Sequence, residues 1–195
     1  MRRPAALAIV CALAALSGGC ASPAARFYTL SAVPMPDSAP SKVSVAVGPV
    51  SVPAAVDRPQ IVVTTGANRV EINEWNRWAS PLQDSLARLV ADDLGAMLQT
   101  PYVTVFQKSP DTAVDYRVQI EVRNFESALG KEASLDAVWT VHRMSDGKYR
   151  IGHTSARETV HEDGFDVMAA AHSRAIARLS EDIAATVRAF DRAGP

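Results

Sequence analysis

The chain contains few cysteines for its length. Its 195 residues include two, Cys11 and Cys20, and both lie near the N-terminus. If the first 19 residues are a cleaved signal and Cys20 carries lipid, no thiol remains for a disulfide, a thiolate zinc site or a cysteine nucleophile. We therefore expect packing alone to stabilise the body of the protein.

A large excess of charge of either sign is also absent. The 20 Lys and Arg residues nearly balance the 21 Asp and Glu residues, and the formal net charge is −1. A protein that binds a nucleic acid backbone usually carries clustered basic charge. The balance therefore argues against nucleic acid as a partner.

The sequence lacks the motifs of common catalytic and cofactor sites. It has no Gly-x-Ser-x-Gly elbow, phosphate-binding loop or dinucleotide fingerprint, and its four histidines do not have metal-site spacing. Neighbouring carboxylates, such as Asp92 with Asp93, point in different directions on a helix, so we interpret them as solvated helix faces. His172 interrupts an apolar stripe, and we interpret it as a hydrogen-bonded core residue. We predict no cofactor, no metal and no enzymatic activity.

The N-terminus has the features of a bacterial lipoprotein signal peptide. Arg2 and Arg3 supply positive charge, residues 5–16 form an apolar segment, and Gly18-Gly19 precede Cys20. The apolar segment is shorter than the roughly 20 residues that a membrane-spanning helix needs. We predict cleavage after residue 19 and fatty acylation of Cys20. The alternative is an ordinary secretory signal with an incidental cysteine.

Acylation of Cys20 would fix the protein to a membrane. Each buried methylene contributes about 0.8 kcal/mol, and two or more acyl chains anchor a protein stably where one does not. The following residue is Ala21 rather than the aspartate that retains many bacterial lipoproteins at the inner membrane. This favours the outer membrane, with the protein on its periplasmic face.

Hydrophobic periodicity predicts a single α/β (α+β) domain. Residues 20–41 contain the lipidated cysteine, a tether and a proline-rich segment, and residues 42–195 form the folded domain. The segments with strand patterns are 27–30, 43–47, 60–65, 69–72, 102–106, 114–124, 134–143 and 149–159. Gly48 and Pro49 are expected to end the second of them. The most polar, 149–159, is expected at a sheet edge.

Two helices are predicted. Ser80 is expected to cap the first, with Gln83 completing a capping box and Gln99 near its end. The second is expected over residues 165–191, where apolar side chains recur every three or four residues. We predict a mixed, mostly antiparallel sheet with these two long amphipathic helices packed on it.

Two segments contain residue types that are common in protein contacts. Exposed Trp and Arg side chains dominate interface hot spots. The segments are Asp57-Arg58-Pro59-Gln60 and Trp75-Asn76-Arg77-Trp78. The alternative is that Trp78 is a hydrophobic staple of the following helix and that Arg77 pairs with Glu74. The candidate partner or self-assembly residues are Asp57, Arg58, Gln60, Trp75 and Arg77.

Six short blocks occur in an order that resembles the PqiC family, the auxiliary lipoproteins of ABC-type intermembrane transport systems. The blocks are Phe27-Tyr28-Thr29-Leu30, Val47-Gly48-Pro49-Val50, Asp57-Arg58-Pro59-Gln60-Ile61-Val62, Arg77-Trp78-Ala79-Ser80-Pro81-Leu82, Asp115-Tyr116-Arg117-Val118 and Leu179-Ser180-Glu181-Asp182-Ile183-Ala184. The blocks follow the lipoprotein signal in this order, and the resemblance extends over nearly the whole mature chain.

The resemblance implies a non-enzymatic outer-membrane lipoprotein. It would dock an MCE-domain protein, similar to PqiB or MlaD, whose ABC permease system moves phospholipids between the two membranes. It also implies a homo-oligomer, for which a ring is one form. A carrier module that itself holds an acyl chain remains an alternative. A periplasmic hydrolase, with Asp, Ser and His brought together by the fold, is the least favoured.

Overall fold

The computed structural model describes residues 23–33, 40–106 and 113–192. The predicted signal peptide and Cys20 lie outside the described residues, as does most of the proline-rich segment. The described elements are β1 (Arg26–Tyr28), β2 (Val45–Ser51), β3 (Gln60–Gly66), β4 (Arg69–Trp78), α1 (Leu82–Leu98), β5 (Val103–Val105), β6 (Tyr116–Ala128), β7 (Glu132–Arg143), β8 (Tyr149–Thr159) and α2 (Phe165–Arg192).

The strands form two mixed sheets. The small sheet has the order β1-β4-β3, and the large sheet has the order β5-β2-β6-β7-β8. Strand β2 is parallel to both β5 and β6, and β1 is parallel to β4, whereas the remaining pairs are antiparallel. The predicted α/β domain with a mixed sheet and two long helices is confirmed, and β8 is an edge strand. The division into two sheets was not predicted.

Both helices pack on one face of the large sheet. The periodic stripe of α2 is buried, and its side chains join those of α1 and the strands in one continuous core. Residues from the inner faces of β2, β6 and β7 belong to the same core, including Val45, Val118 and Val141. The small sheet adds Ile61 and Val63 from β3 to this core.

The start of α1 differs from the prediction. Pro81 occupies the N-cap position, and no side chain caps the helix. Ser80 Oγ lies 2.9 Å from Ser85 Oγ, and Gln83 Nε2 donates a hydrogen bond of 2.9 Å to Asp57 Oδ2. The predicted capping box was therefore wrong, because both side chains have other partners. The predicted end at Gln99 is confirmed, with a left-handed φ of 50°.

Strand β2 also continues further than predicted. Gly48 and Pro49 do not end it, because pairing with β6 resumes at Val50 after a register shift. Gly48 has φ of +132°, and a Cβ at this position would lie 3.1 Å from the Cβ of Phe106. The glycine therefore marks an irregularity within the strand rather than its end.

Trp139 crosses the neighbouring strand over Gly152. The two residues are register partners on β7 and β8. The indole Nε1 donates a hydrogen bond of 3.0 Å to Thr154 Oγ1, which in turn donates one of 2.6 Å to Asp182 Oδ2 on α2. This chain of hydrogen bonds holds the indole over Gly152, in the space that the Cβ of any other residue would occupy.

His172 is a core residue, as predicted. It is fully buried, its Nε2 lies 2.8 Å from Ser127 Oγ, and its ring stacks on Phe125 with centroids 3.9 Å apart. Burial lowers its pKa to about 3, because the charged form would lose its hydration. The neutral imidazole therefore persists at physiological pH.

Asp93 is buried between the two helices, which corrects its interpretation as part of a solvated face. Asp92 is exposed, but only 1% of Asp93 is accessible. Ser180 Oγ donates a hydrogen bond of 3.0 Å to Asp93 Oδ2, whereas Oδ1 has no partner among the described residues. Burial raises the pKa of Asp93 to about 6.

Replacing Asp93 by asparagine is expected to raise the melting temperature near neutral pH. Because its pKa is raised, Asp93 keeps its proton in the folded protein between about pH 4 and pH 6, where the unfolded chain has already released it. The stability of the wild type therefore falls as the pH rises through this window. An asparagine side chain carries no charge, and the advantage of Asp93→Asn should vanish near pH 4. Thermal unfolding at several pH values measures this, with Asp92→Asn as the exposed control. An advantage that does not depend on pH would contradict the prediction.

Candidate functional site

The structure brings the two predicted contact segments together. The backbone N–H of Trp78 donates a hydrogen bond of 2.7 Å to the carbonyl of Pro59. Gln60 is the register partner of Arg77 across β3 and β4. Residues 57–60 and 75–78 therefore form one continuous surface at the end of the small sheet.

A cleft of about 300 Å³ lies between this surface and the start of α1. Its lining includes Asp57, Arg58, Pro59, Trp78, Pro81 and Leu82. Two prolines and an indole give it rigid apolar walls, and Asp57 is held by the hydrogen bond from Gln83. Such a combination of apolar walls and few polar groups is typical of recognition sites.

Arg58 is a polar residue of this cleft with unused hydrogen-bonding capacity. The residue is half-buried, and its Nε has no hydrogen-bond partner among the described residues. A buried donor without an acceptor is unfavourable, and a guanidinium binds carboxylates and phosphates especially well. The site can therefore accept an occupant that brings an anionic oxygen to Arg58.

Gln60 and Arg77 already have partners within the chain. Gln60 Nε2 donates a hydrogen bond of 3.2 Å to Glu74 Oε2, and Arg77 Nε donates one of 2.9 Å to the Glu74 carbonyl. The Arg77 guanidinium also lies 3.9 Å from the Glu74 carboxylate. The alternative that Arg77 pairs with Glu74 is confirmed, and both side chains stabilise the shape of this surface.

The two tryptophans of this segment differ in exposure. Trp78 is buried and packs its edge against Phe125, with centroids 6.2 Å apart. Trp75 is 41% exposed and lies on a bulge of β4, where Asn73 Oδ1 accepts the backbone N–H groups of Trp75 and Asn76. Trp75 does not line the cleft.

Ser127 and His172 form the Ser-His pair that a hydrolase would need, but their surroundings do not suit catalysis. Both are almost completely buried, and His172 Nδ1 has no carboxylate or other partner among the described residues. A catalytic histidine requires an orienting partner and access to substrate. The pair therefore does not support the hydrolase hypothesis.

The described ranges offer no candidate for a metal centre. Residues 23–33, 40–106 and 113–192 contain no group of three or more His, Cys, Asp or Glu side chains that could bind a metal ion. Within these ranges, neither helix combines the length and the apolar character of a membrane span.

The chain matches a known protein family over most of its length. The model of the ABC-type transport auxiliary lipoprotein component matches residues 28–184, from β1 into α2. This range includes the cleft and all five predicted contact residues. A search of curated proteins finds no match.

Two solved structures have a similar fold. One is an uncharacterized protein, 19% identical, with a TM-score of 0.70 over 85% of this chain and 99% of that chain. The other is a Xanthomonas campestris protein of the DUF330 family, also 19% identical, with a TM-score of 0.61 over 86% of this chain and 99% of that chain. At this identity the likeness shows the fold alone. The family match is what assigns the chain, which belongs to the ABC-type transport auxiliary lipoprotein components.

Proposed function

We propose that this protein is a non-enzymatic outer-membrane lipoprotein that docks the periplasm-spanning MCE-domain protein of an ABC-type phospholipid transport system. Membership of the auxiliary lipoprotein family supports the transport role. Acylated Cys20 holds the domain at the inner leaflet of the outer membrane. Copies of the chain associate with one another in the same assembly, for which a ring is one arrangement.

The observation that carries the docking role is the cleft beside Arg58. Its prolines and Trp78 are held by the backbone and the core, so little conformational entropy is lost when a partner binds. The Nε of Arg58 lacks an acceptor within the described chain. A partner segment with an apolar side chain and a nearby carboxylate would fill the cleft and pair with the Arg58 guanidinium.

The packing of the core favours docking over lipid carriage. In the carrier alternative, an acyl chain would lie between the helices and the large sheet. That space contains buried side chains from both helices and from β2, β6 and β7, which pack in one continuous cluster. A lipid in this position would have to displace well-packed side chains, at substantial cost in stability.

Reversing the charge of Arg58 is expected to weaken docking. In Arg58→Glu, a carboxylate would face the acidic group of the partner, and the loss of about 1.4 kcal/mol or more corresponds to at least a tenfold drop in affinity. The measurement is binding of the purified full-length lipoprotein to an MCE-domain protein from the same organism.

Arg88→Glu is the matched control for this experiment. Arg88 is an exposed arginine of α1 that does not line the cleft, so the same charge reversal should leave binding unchanged. If folded Arg58→Glu bound the MCE protein as tightly as wild type, the cleft would not be the docking site.

A further inference from the structure

The small sheet exposes a group of large apolar side chains. Phe27 is 64% exposed, Val70 57%, Ile72 41% and Trp75 41%. All four belong to β1 and β4. On the surface of a soluble protein, a cluster of large apolar side chains usually marks a contact with a partner or a membrane.

The strand registers place three of these side chains on the outward face. Ile61 and Val63 point into the core, so Ile72 and Val70, the partners of Val62 and Thr64, lie on the opposite face of the small sheet, where Val62 itself is only 9% exposed. On β1, Tyr28 packs against the core, and the adjacent Phe27 therefore points outward. We call this surface the outward face; Trp75 adjoins it on the bulge of β4.

This face lies next to the predicted anchor. Strand β1 begins at Arg26, six residues after Cys20. A fully extended chain spans at most about 3.5 Å per residue, so the two Cα atoms lie within about 20 Å of each other. The acylated residue cannot leave the leaflet, and the small sheet must therefore stay close to the membrane surface.

A second pair of exposed apolar side chains, on β8, lies at the opposite end of the domain. Phe165, at the start of α2, packs against Tyr28 of β1, with centroids 5.8 Å apart. Near the end of α2, Phe190 contacts Arg150 of β8, whose guanidinium lies 4.7 Å from the ring centroid. The 25 residue-to-residue rises of the helix between Phe165 and Phe190 span about 37 Å. Tyr149 and Ile151, which are also exposed, are therefore far from the anchored end.

We propose that the outward face of the small sheet rests on the phospholipid leaflet that holds the acyl chains of Cys20. The inference depends on the anchor in the proposed function, because the short tether is what selects a lipid surface as the occupant. Trp and Phe are favoured at the membrane interface, and the exposed Arg26 and Arg69 border the face, where lipid phosphates can accept their hydrogen bonds. Trp75 then contacts lipid rather than the protein partner that the sequence suggested for it.

Tryptophan quenching by lipid tests this orientation. The full-length acylated protein is reconstituted into phosphatidylethanolamine and phosphatidylglycerol vesicles with brominated acyl chains. Trp78 and Trp139 are buried and give a constant background, so quenching reports on Trp75. In a Trp75→Phe background, Phe27→Trp places a second reporter on the outward face. Both reporters are expected to lose most of their emission relative to vesicles without bromine.

Tyr149→Trp in the same background is the matched control, because Tyr149 is 60% exposed and Phe27 is 64% exposed. Its emission is expected to be unchanged. If acylated protein floated with the vesicles but neither Trp75 nor Phe27→Trp was quenched, the inference would be overturned while the anchor stood. Equal quenching of all three positions would also overturn it. Failure to float would remove the anchor and the inference together, and the Arg58 binding experiment tests docking separately.

Discussion

Replacing Gly152 by alanine is expected to destabilise the domain by about 3 kcal/mol, the upper part of the usual range for overpacking a core. The new Cβ would lie 2.1 Å from Trp139 Cζ2 and 2.3 Å from Cη2, well inside van der Waals contact. The indole cannot swing away freely, because its Nε1 is bonded to Thr154 and Thr154 is bonded to Asp182 of α2. Urea denaturation of Gly152→Ala and wild type measures the free energy of unfolding.

Two further variants separate the steric clash from the general effect of an added methyl group. A Cβ at Gly66 would meet only Arg69 Cβ, at an ordinary 3.8 Å, so Gly66→Ala should change stability little. In a Trp139→Leu background the indole is absent, and Gly152→Ala should cost much less than in wild type. If Gly152→Ala were as stable as the wild type, the indole would not lie over this glycine.

Replacing residues 1–20 by an ordinary cleavable secretory signal, so that the exported protein lacks Cys20, is expected to move nearly all of the protein from the membrane fraction to the soluble periplasmic fraction. Several acyl chains contribute about 0.8 kcal/mol per buried methylene, far more than the outward face of the small sheet can supply. Membrane fractionation measures the distribution, and intact mass of the wild-type protein should show acyl chains on an N-terminal Cys20.

Cys11 provides the matched control for this prediction. It lies in the apolar segment that cleavage would remove, so Cys11→Ala should stay in the membrane fraction. An unmodified N-terminus on the native protein, or a variant without residues 1–20 that remained membrane-bound after cleavage of its substitute signal, would refute the anchor.

The helices and strands that have one buried and one exposed face could be predicted from the sequence. Strands β6, β7 and β8 and helix α2 have clear periodicity. The predicted bounds of β7, β8 and α2 agree closely with the structure, whereas β6 continues four residues beyond its predicted end. The burial of Asp93 could not be predicted, because its partner Ser180 lies 87 residues later on the other helix. The capping box failed for a similar reason, since Gln83 binds Asp57 in a loop 26 residues earlier.

The candidate site was predictable as a set of residue types but not as a geometry. Arginine and tryptophan content marked the two segments, and the structure places them side by side. The pairing of Arg77 with Glu74 was one of the alternatives, whereas nothing in either segment indicated that Gln60 also binds Glu74. Residue type alone also could not distinguish Trp78, which points into the core, from the exposed Trp75. Those differences depend on a long-range pairing between β3 and β4 and on the bulge at Asn73.

The position of β1 determines how the domain responds to mechanical load. With the proposed anchor and the proposed docked partner, tension between the bilayer and that partner would enter the folded domain through this strand, which has three residues and pairs with β4 alone. The large sheet contains strands of 13, 12 and 11 residues and is far harder to pull apart. Under stretching, β1 is expected to detach first and to lengthen the tether, while the helices and the large sheet keep their packing.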